Sequence, residues 1–206
     1  METNVILYGA SGHGKVIIDI LKNNGVIINA IIDDNPKINS IMGLPVIQKT
    51  NLDFSITVNI IISIGNNKIR KLISNQMHAN YITAIHSSAI ISNDVKLGNG
   101  TVIMAGVIIN PDTTIGNHCI INTGAVVEHD CCIADFVHIS PSVALAGSVI
   151  VGEGTHIGIG AKVIQSVKIG KWVTIGAGAI IIKDVPDYAV VVGNPGKIIK
   201  FNQENE

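Results

Sequence analysis

Every sixth residue from Ile91 to Ile181 is aliphatic: Ile91, Leu97, Ile103, Ile109 and onward without a miss through Val163, Ile169, Ile175 and Ile181. Two residues before each stands Ala, Val, Thr or Cys, and glycine often follows directly, as at Gly98, Gly116, Gly152, Gly158, Gly170 and Gly176. A small inward residue, an outward one, a large inward one and a turn make a very short strand that recurs every six residues. A triangular coil of three strands and eighteen residues accepts this period. Each strand then lies over its equivalent about 4.8 Å away and bonds to it as a parallel ladder. The aliphatics fill the axis, and the turn glycines supply dihedrals that a Cβ opposes. The span corresponds to about five coils. A single coil buries too little to order its own backbone, so stacking and end caps are required.

This repeat resembles that of the hexapeptide-repeat acyltransferases, whose fold is a left-handed parallel β-helix. The resemblance, and not the period, implies the handedness, a homotrimer and active sites between neighbouring prisms.

Composition narrows the partners. The formal charge is −1, only 14% of residues are charged, and no basic run offers a nucleic-acid surface. Small-molecule partners are expected. No apolar run is long enough to span a bilayer, and the first residues lack the pattern of a signal peptide, so a cytoplasmic location is expected. Cys119 and Cys131 fall on the small inward position and read as reduced core residues, whereas Cys132 points outward.

Before the repeat, Val5 to Tyr8 reads as a strand, followed by Gly9-Ala10-Ser11-Gly12-His13-Gly14. A helix pattern on Val16, Ile17, Ile20 and Leu21 comes next, ending near Asn24-Gly25, and Val26 to Ile32 forms a second strand ending at Asp33-Asp34. This βαβ opening has glycines at which a backbone can approach a ligand, and a helix start whose amides suit an anion. The spacing departs from the Gly-x-Gly-x-x-Gly dinucleotide fingerprint. Asp33 can accept a ribose hydroxyl; a structural turn without ligand is the alternative. Pro36 and residues 41–45 interrupt the pattern, and residues 56–64 form another apolar strand. Gly65-Asn66-Asn67 then turns into a helix packing through Ile69, Leu72 and Ile73. Arg70 and Lys71 near its start either meet phosphate or face solvent, and residues 81–85 lead to the prism. Two domains are expected, 1–83 and 84–206.

The loop Gly9 to Lys15, the Asp33-Asp34 pair, the Gly65-Asn66-Asn67 turn and the repeat together resemble one group of sugar O- and N-acetyltransferases. That group is related to sialic acid O-acetyltransferase and includes the bacillosamine-pathway and perosamine N-acetyltransferases. The resemblance runs over essentially the whole chain. It implies an α/β, Rossmann-like N-terminal domain that binds a nucleotide sugar through Gly9, Ser11, Gly12, His13, Gly14, Asp33, Asp34, Gly65 and Asn66. The β-helix would supply the acetyl-CoA site.

The chemistry is expected at Val127-Glu128-His129-Asp130. Val127 points inward, so His129 sits at a corner where it can leave the prism, and imidazole accepts protons near neutral pH. The resemblance matches the family's catalytic histidine and its acidic neighbour to His129 and Asp130. Glu128 is the competing acidic partner, and an exposed turn histidine is the plain alternative. One coil on from His129 stands Gly147, which matches the family's oxyanion-binding glycine; a tight turn is the alternative. His138 and His156 lie eighteen residues apart at outward positions. The resemblance implies an acceptor contact for His138, while His118 and His86 read as solvated turn or junction residues. The spacing of these histidines differs from that of metal-dependent β-helix enzymes, so no metal is expected. Coenzyme A would lie along Gly147, Gly158, Gly160, Gly176 and Gly178 with Lys197 near phosphate, or these are ordinary turns. Asp184-Val185-Pro186 ends the repeat, and the tail to Asn205 covers the open end. The expected activity is transfer of acetyl from acetyl-CoA to the 4-amino group of a UDP-linked 4-amino-4,6-dideoxy sugar. The alternatives are O-acetylation of sialic acid or another surface sugar, and a non-catalytic nucleotide-sugar-binding protein.

Overall fold

The computed structural model describes residues 5–49 and 58–203. The first part is an α/β layer: β1 (Val5–Tyr8), α1 (Gly12–Asn23), β2 (Ile28–Asp33), β3 (Ser40–Ile41), β4 (Leu44–Gln48), β5 (Asn59–Ile62), α2 (Asn67–Gln76) and β6 (Asn80–Tyr81). The sheet order is β3-β4-β2-β1-β5-β6. β1 pairs in parallel with β2 and β5, while β3 and β4 form a short hairpin across the stretch read as an interruption. β1 and β5 are nearly continuous β-branched or aliphatic runs buried on both faces, as central parallel strands require. The second strand starts at Ile28, not Val26. Of the apolar run 56–64, the strand is Asn59–Ile62, and residues 56–57 lie outside the described residues.

From Ala84 the chain is a left-handed β-helix of hexapeptide repeats, with faces of eight, six and five strands. Consecutive coils pair in parallel at an offset of eighteen, as His138 on His156 and Cys132 on Ile150. The stack is longer than the repeat alone implies, because Ala84–Ile85 starts it and Ala189–Val192 extends it. The last strand, Lys197–Phe201, adds antiparallel to Ala189–Val192, and residues 204–206, which include Asn205, lie outside the described residues. Both inward positions of the repeat are buried from Thr101 to Ala179. In the first coil Ile91 and Leu97 are only partly covered, since nothing stacks beneath them.

The turn glycines do a different job from the one their position suggests. A left-handed residue does recur every sixth position, at Gly100, Gly106, Asp112, His118, Gly124, Asp130 and Phe136. That position falls two residues after the glycine that follows each aliphatic, and of the six such glycines named above none has a positive φ. A Cβ on Gly98 or Gly152 would instead run into the backbone of the coil one turn on, at Gly116 or Gly170. Tight stacking, and not dihedral freedom, selects glycine there.

The two parts share a core. Ile17, Ile18 and Leu21 of α1 pack with Val5 and Leu7 of β1 and with Ala84, Val102 and Ile120 on the outside of the eight-stranded face. Asn24 Nδ2 donates to Ile85 O at 2.8 Å.

Candidate active site

His129 and Gly147 both lie in turns that lead from the six-stranded to the five-stranded face, one coil apart. The imidazole covers Gly147: a Cβ there would come within 2.6 Å of His129 Cε1 and 2.7 Å of Nε2. At the corner that leads into the eight-stranded face, rings lie instead against the glycine one coil earlier, His118 against Gly100 and Trp172 against Gly154. Asp130 takes the left-handed conformation (φ 59°) that carboxylates tolerate, and its Oδ2 sits 2.7 Å from His129 Nδ1. This hydrogen bond, with the Asp130 and Glu128 charges, raises the His129 pKa. Glu128 is directed elsewhere, its Oε2 accepting from Asn110 Nδ2 at 2.8 Å. The Gly147 N–H makes no hydrogen bond among the described residues. The corner therefore presents an imidazole with one nitrogen held by a carboxylate, beside a backbone donor with spare capacity.

The N-terminal residues form a second cluster at the C-terminal ends of β1, β2 and β5. Gly9 has φ +117°, and a Cβ there would meet Ile64 Cγ1 at 2.5 Å, so the loop requires glycine. Gly14 lets α1 close on the loop, where a Cβ would lie 3.1 Å from Gly9 O. Gly12 is open, with nothing within 4 Å. Ser11 stands at the N-cap of α1 but makes no cap bond; its Oγ donates to Ser63 O instead, leaving the first turn's amides to another partner. Ser63, fully buried, donates to Gly9 O at 2.7 Å. Asp33 already serves the backbone, accepting from Ala10 N and Asn35 N at 2.9 Å each. Asp34 accepts from Tyr8 OH at 2.7 Å, and burial together with that bond raises the tyrosine pKa. Asn66 caps α2 by accepting from Ile69 N, and Gly65 is open.

The junction between these clusters differs from the sequence expectation. α2 buries Asn67, Arg70 and Ile73, whereas Ile69 and Leu72, read as packing residues, are 46% and 56% exposed. Arg70 neither meets solvent nor stands ready for phosphate, because all its donors are taken. Nε donates to His118 O, Nη1 to Ile64 O and Gly65 O, and Nη2 to Asn67 Oδ1 and Phe136 O, at 2.7 to 3.2 Å. It ties the Gly65 turn to the prism. His118 is not a solvated turn residue either. It is 6% exposed, stacked on Phe136 and edge-on to Tyr81, and burial lowers its pKa to about 4. The spacing Asn67, Arg70, Ile73, Met77 is a helical face that apolarity alone hid.

His138 and His156 stack at 4.8 Å between ring centroids. Asn122 Nδ2 lies 3.1 Å from His138 Nε2, and Ser140 Oγ 2.9 Å from His156 Nε2, the same offset in successive coils. Burial, then His156, Arg70 and His13, hold the His138 pKa down to about 3, while a hydrogen bond with the Gly65 backbone acts in the opposite sense. His13, half-buried near the same arginine, is held to about 4 by desolvation and that charge, and its Nε2 is buried with no hydrogen-bond partner among the described residues. A cavity of ≈ 440 Å³ opens beside His156, walled by Asn66 and Lys68 of the N-terminal part and by Trp172, Thr174 and Asn202.

The glycines expected along coenzyme A lie apart from His129. Gly158, Gly160, Gly176 and Gly178 turn from the eight-stranded to the six-stranded face, and Lys197 is exposed on the last strand. Gly147 alone of that set shares the His129 corner. Among the described residues no group of three or more His, Cys, Asp or Glu is arranged to hold a metal ion. No helix among them is long and apolar enough to cross a membrane.

The sequence matches the PglD N-terminal domain over residues 4–77 and the bacterial transferase hexapeptide model over residues 88–129 and 148–183. The fold is similar to that of perosamine N-acetyltransferase from Caulobacter crescentus, solved as a histidine-to-asparagine mutant with CoA and GDP-perosamine. The TM-score is 0.89 and the identity 37%, covering 96% of this chain and 97% of that one. The acetyltransferase domain of PglB from Neisseria gonorrhoeae, in complex with acetyl coenzyme A, gives a TM-score of 0.90 at 35% identity over 97% of this chain and 100% of that one. WeeI from Acinetobacter baumannii gives 0.89 at 26% identity over 95% and 99%.

Proposed function

Given that this chain belongs to the hexapeptide-repeat sugar acetyltransferases with a PglD N-terminal domain, and so is an acetyl-CoA-dependent sugar acetyltransferase, we propose that it acetylates the 4-amino group of a UDP-linked 4-amino-4,6-dideoxy sugar. The observation that carries the reading is the His129 imidazole, anchored to Asp130 and lying over the free amide of Gly147.

In the proposed reaction His129 Nε2 accepts the proton of the attacking amine while its Nδ1 stays on Asp130. Asp130 fixes the ring and stabilises the imidazolium. The Gly147 N–H donates to the thioester oxygen as charge gathers there. His129 then returns the proton to the departing thiolate, and the amide product and CoA leave. Atoms balance with no acyl-enzyme.

The same geometry supports a homotrimer. The nucleotide-sugar residues lie against the eight-stranded face and the corner before it, while His129 occupies a different corner of the prism. A site that uses both sets is completed by a neighbouring copy. UDP follows from the bacillosamine-type resemblance, and the GDP-perosamine held by the Caulobacter protein makes GDP the competitor.

The test is to incubate the protein with acetyl-CoA and a panel of UDP- and GDP-linked 4-amino sugars plus sialic acid, following free thiol and product mass. Acetylation of a UDP-4-amino sugar, abolished by His129→Ala, is expected. Selective acetylation of sialic acid, or full turnover by the variant, would overturn the reading.

A further inference from the structure

At the corner where the five-stranded face turns into the eight-stranded one, the backbone leaves one carbonyl unused on each storey. His118, Phe136, Gly154 and Trp172 follow one another there at intervals of one coil, all with positive φ, and no backbone N–H among the described residues reaches their oxygens. Side chains take them instead. Arg70 Nε donates to His118 O at 2.7 Å and Nη2 to Phe136 O at 3.0 Å. Asn67 Nδ2 donates to Gly154 O at 3.0 Å, and Asn202 Nδ2 to Trp172 O at 3.5 Å. The start of α2 thus grips successive storeys of the prism, and Lys71 adds an ion pair with Glu153 beside them.

The same guanidinium also faces the other way. Nη1 donates to Ile64 O at 2.9 Å and Gly65 O at 3.2 Å, and Nη2 to Asn67 Oδ1 at 2.9 Å. One side chain therefore joins the turn after β5 to two coils, with no donor left over for a ligand. Docking of the two parts does not itself require this bond set, because α1 already packs on the eight-stranded face through Ile17, Ile18 and Leu21. What Arg70 fixes is the height of Gly65 and Asn66 against the prism. Gly65 has open space about it, and His138 is the other side chain that bonds its backbone among the described residues.

We propose that Arg70 is a positioning residue for the acceptor: it holds the Gly65-Asn66 turn against the coils it grips, and the nucleotide-linked amino sugar binds tightly only while that grip is intact. The inference rests on the acceptor reading above, which puts Gly65 and Asn66 in the nucleotide-sugar site; Arg70 itself meets no ligand and acts through the turn. A turn ordered before binding spares the ligand the entropy of ordering it. The His129 corner lies on another edge of the prism, so loosening the turn leaves it unaltered.

Calorimetry on the full chain gives separate Kd values for UDP- or GDP-linked 4-amino sugars and for CoA. Arg70→Lys keeps the charge but loses the planar fork, and should raise Kd for the amino-sugar nucleotide about tenfold, the cost of ordering one loop residue, with Kd for CoA unchanged. Asn67→Ala cuts the tie to Gly154 and one acceptor of Nη2; it should raise the same Kd about threefold, and it decides the matter if Arg70→Lys does not fold. Amide hydrogen exchange at Gly65 and Asn66 should quicken in both variants before any ligand is added. A lower melting temperature with both Kd values unchanged would make the role purely structural and overturn the proposal, as would an equal rise in Kd for CoA. If the unaltered protein bound no amino-sugar nucleotide at all, the acceptor reading would fall first and this role with it, an outcome distinct from a variant that binds as tightly as the parent.

Discussion

At the scale of single residues, the His129 corner makes three changes distinguishable. His129→Ala removes the proposed base and should lower turnover by about 10²- to 10⁴-fold while leaving thermal melting unchanged, because the ring is 60% exposed and supports no core. Asp130→Asn removes the interaction that raises the His129 pKa, so the ring loses its proton at lower pH. The acid limb of the kcat/KM profile should therefore move to lower pH, with a reduced plateau from the weaker base. Gly147→Ala places a methyl 2.6 Å from His129 Cε1, so the ring must swing away; a fall in activity comparable to His129→Ala is expected without loss of folding. Much of this corner was legible beforehand, because a period of eighteen puts Gly147 against His129 on any triangular coil. The choice of Asp130 over Glu128 was not, since it depends on which carboxylate Asn110 engages.

At the scale of elements, the period revealed the strands because it is repeated many times over, whereas α2 offered only a few turns and two apolar residues on its outer face. The residue that joins α2 to the prism is charged, and a buried Arg70 satisfied entirely by neutral acceptors has no signature in a hydropathy pattern. Arg70→Met would strand those acceptors and should cost about 3 kcal/mol or more, read as a lower denaturation midpoint. The same junction sets the acid stability. His13, His118 and His138 have folded pKa values near 4, 4 and 3, below the ordinary value of 6.5. Between those limits the unfolded chain binds protons that the folded one refuses, so stability should fall as pH drops below about 6.5. His118→Phe keeps the stack between Tyr81 and Phe136 and removes one such group, so its melting temperature should decline less steeply with acid than that of the unaltered protein.

At the scale of the whole molecule, the distance between the proposed nucleotide-sugar residues and the His129 corner gives the proposed trimer a test by complementation. Gly12 faces open space, so Gly12→Leu should fill the mouth of the loop without disturbing the fold, and should be inactive alone. Mixed at random with His129→Ala subunits, it should restore about a quarter of full activity, because one interface in four then pairs an intact loop with an intact imidazole. No recovery on mixing would place both sets of residues in one chain. The coil offset that brings His129 over Gly147 also governs how such a molecule can change length. Cutting out residues 148–153 would turn everything above the cut by a third of a revolution and bring Asp130 under Gly154 in place of Phe136. Cutting out residues 148–165 would restore the alignment and lower the upper coils by one storey. The prism thus works as an indexing shaft, whose upper storeys can be lifted or dropped only in whole eighteen-residue steps if each corner is to keep its neighbours.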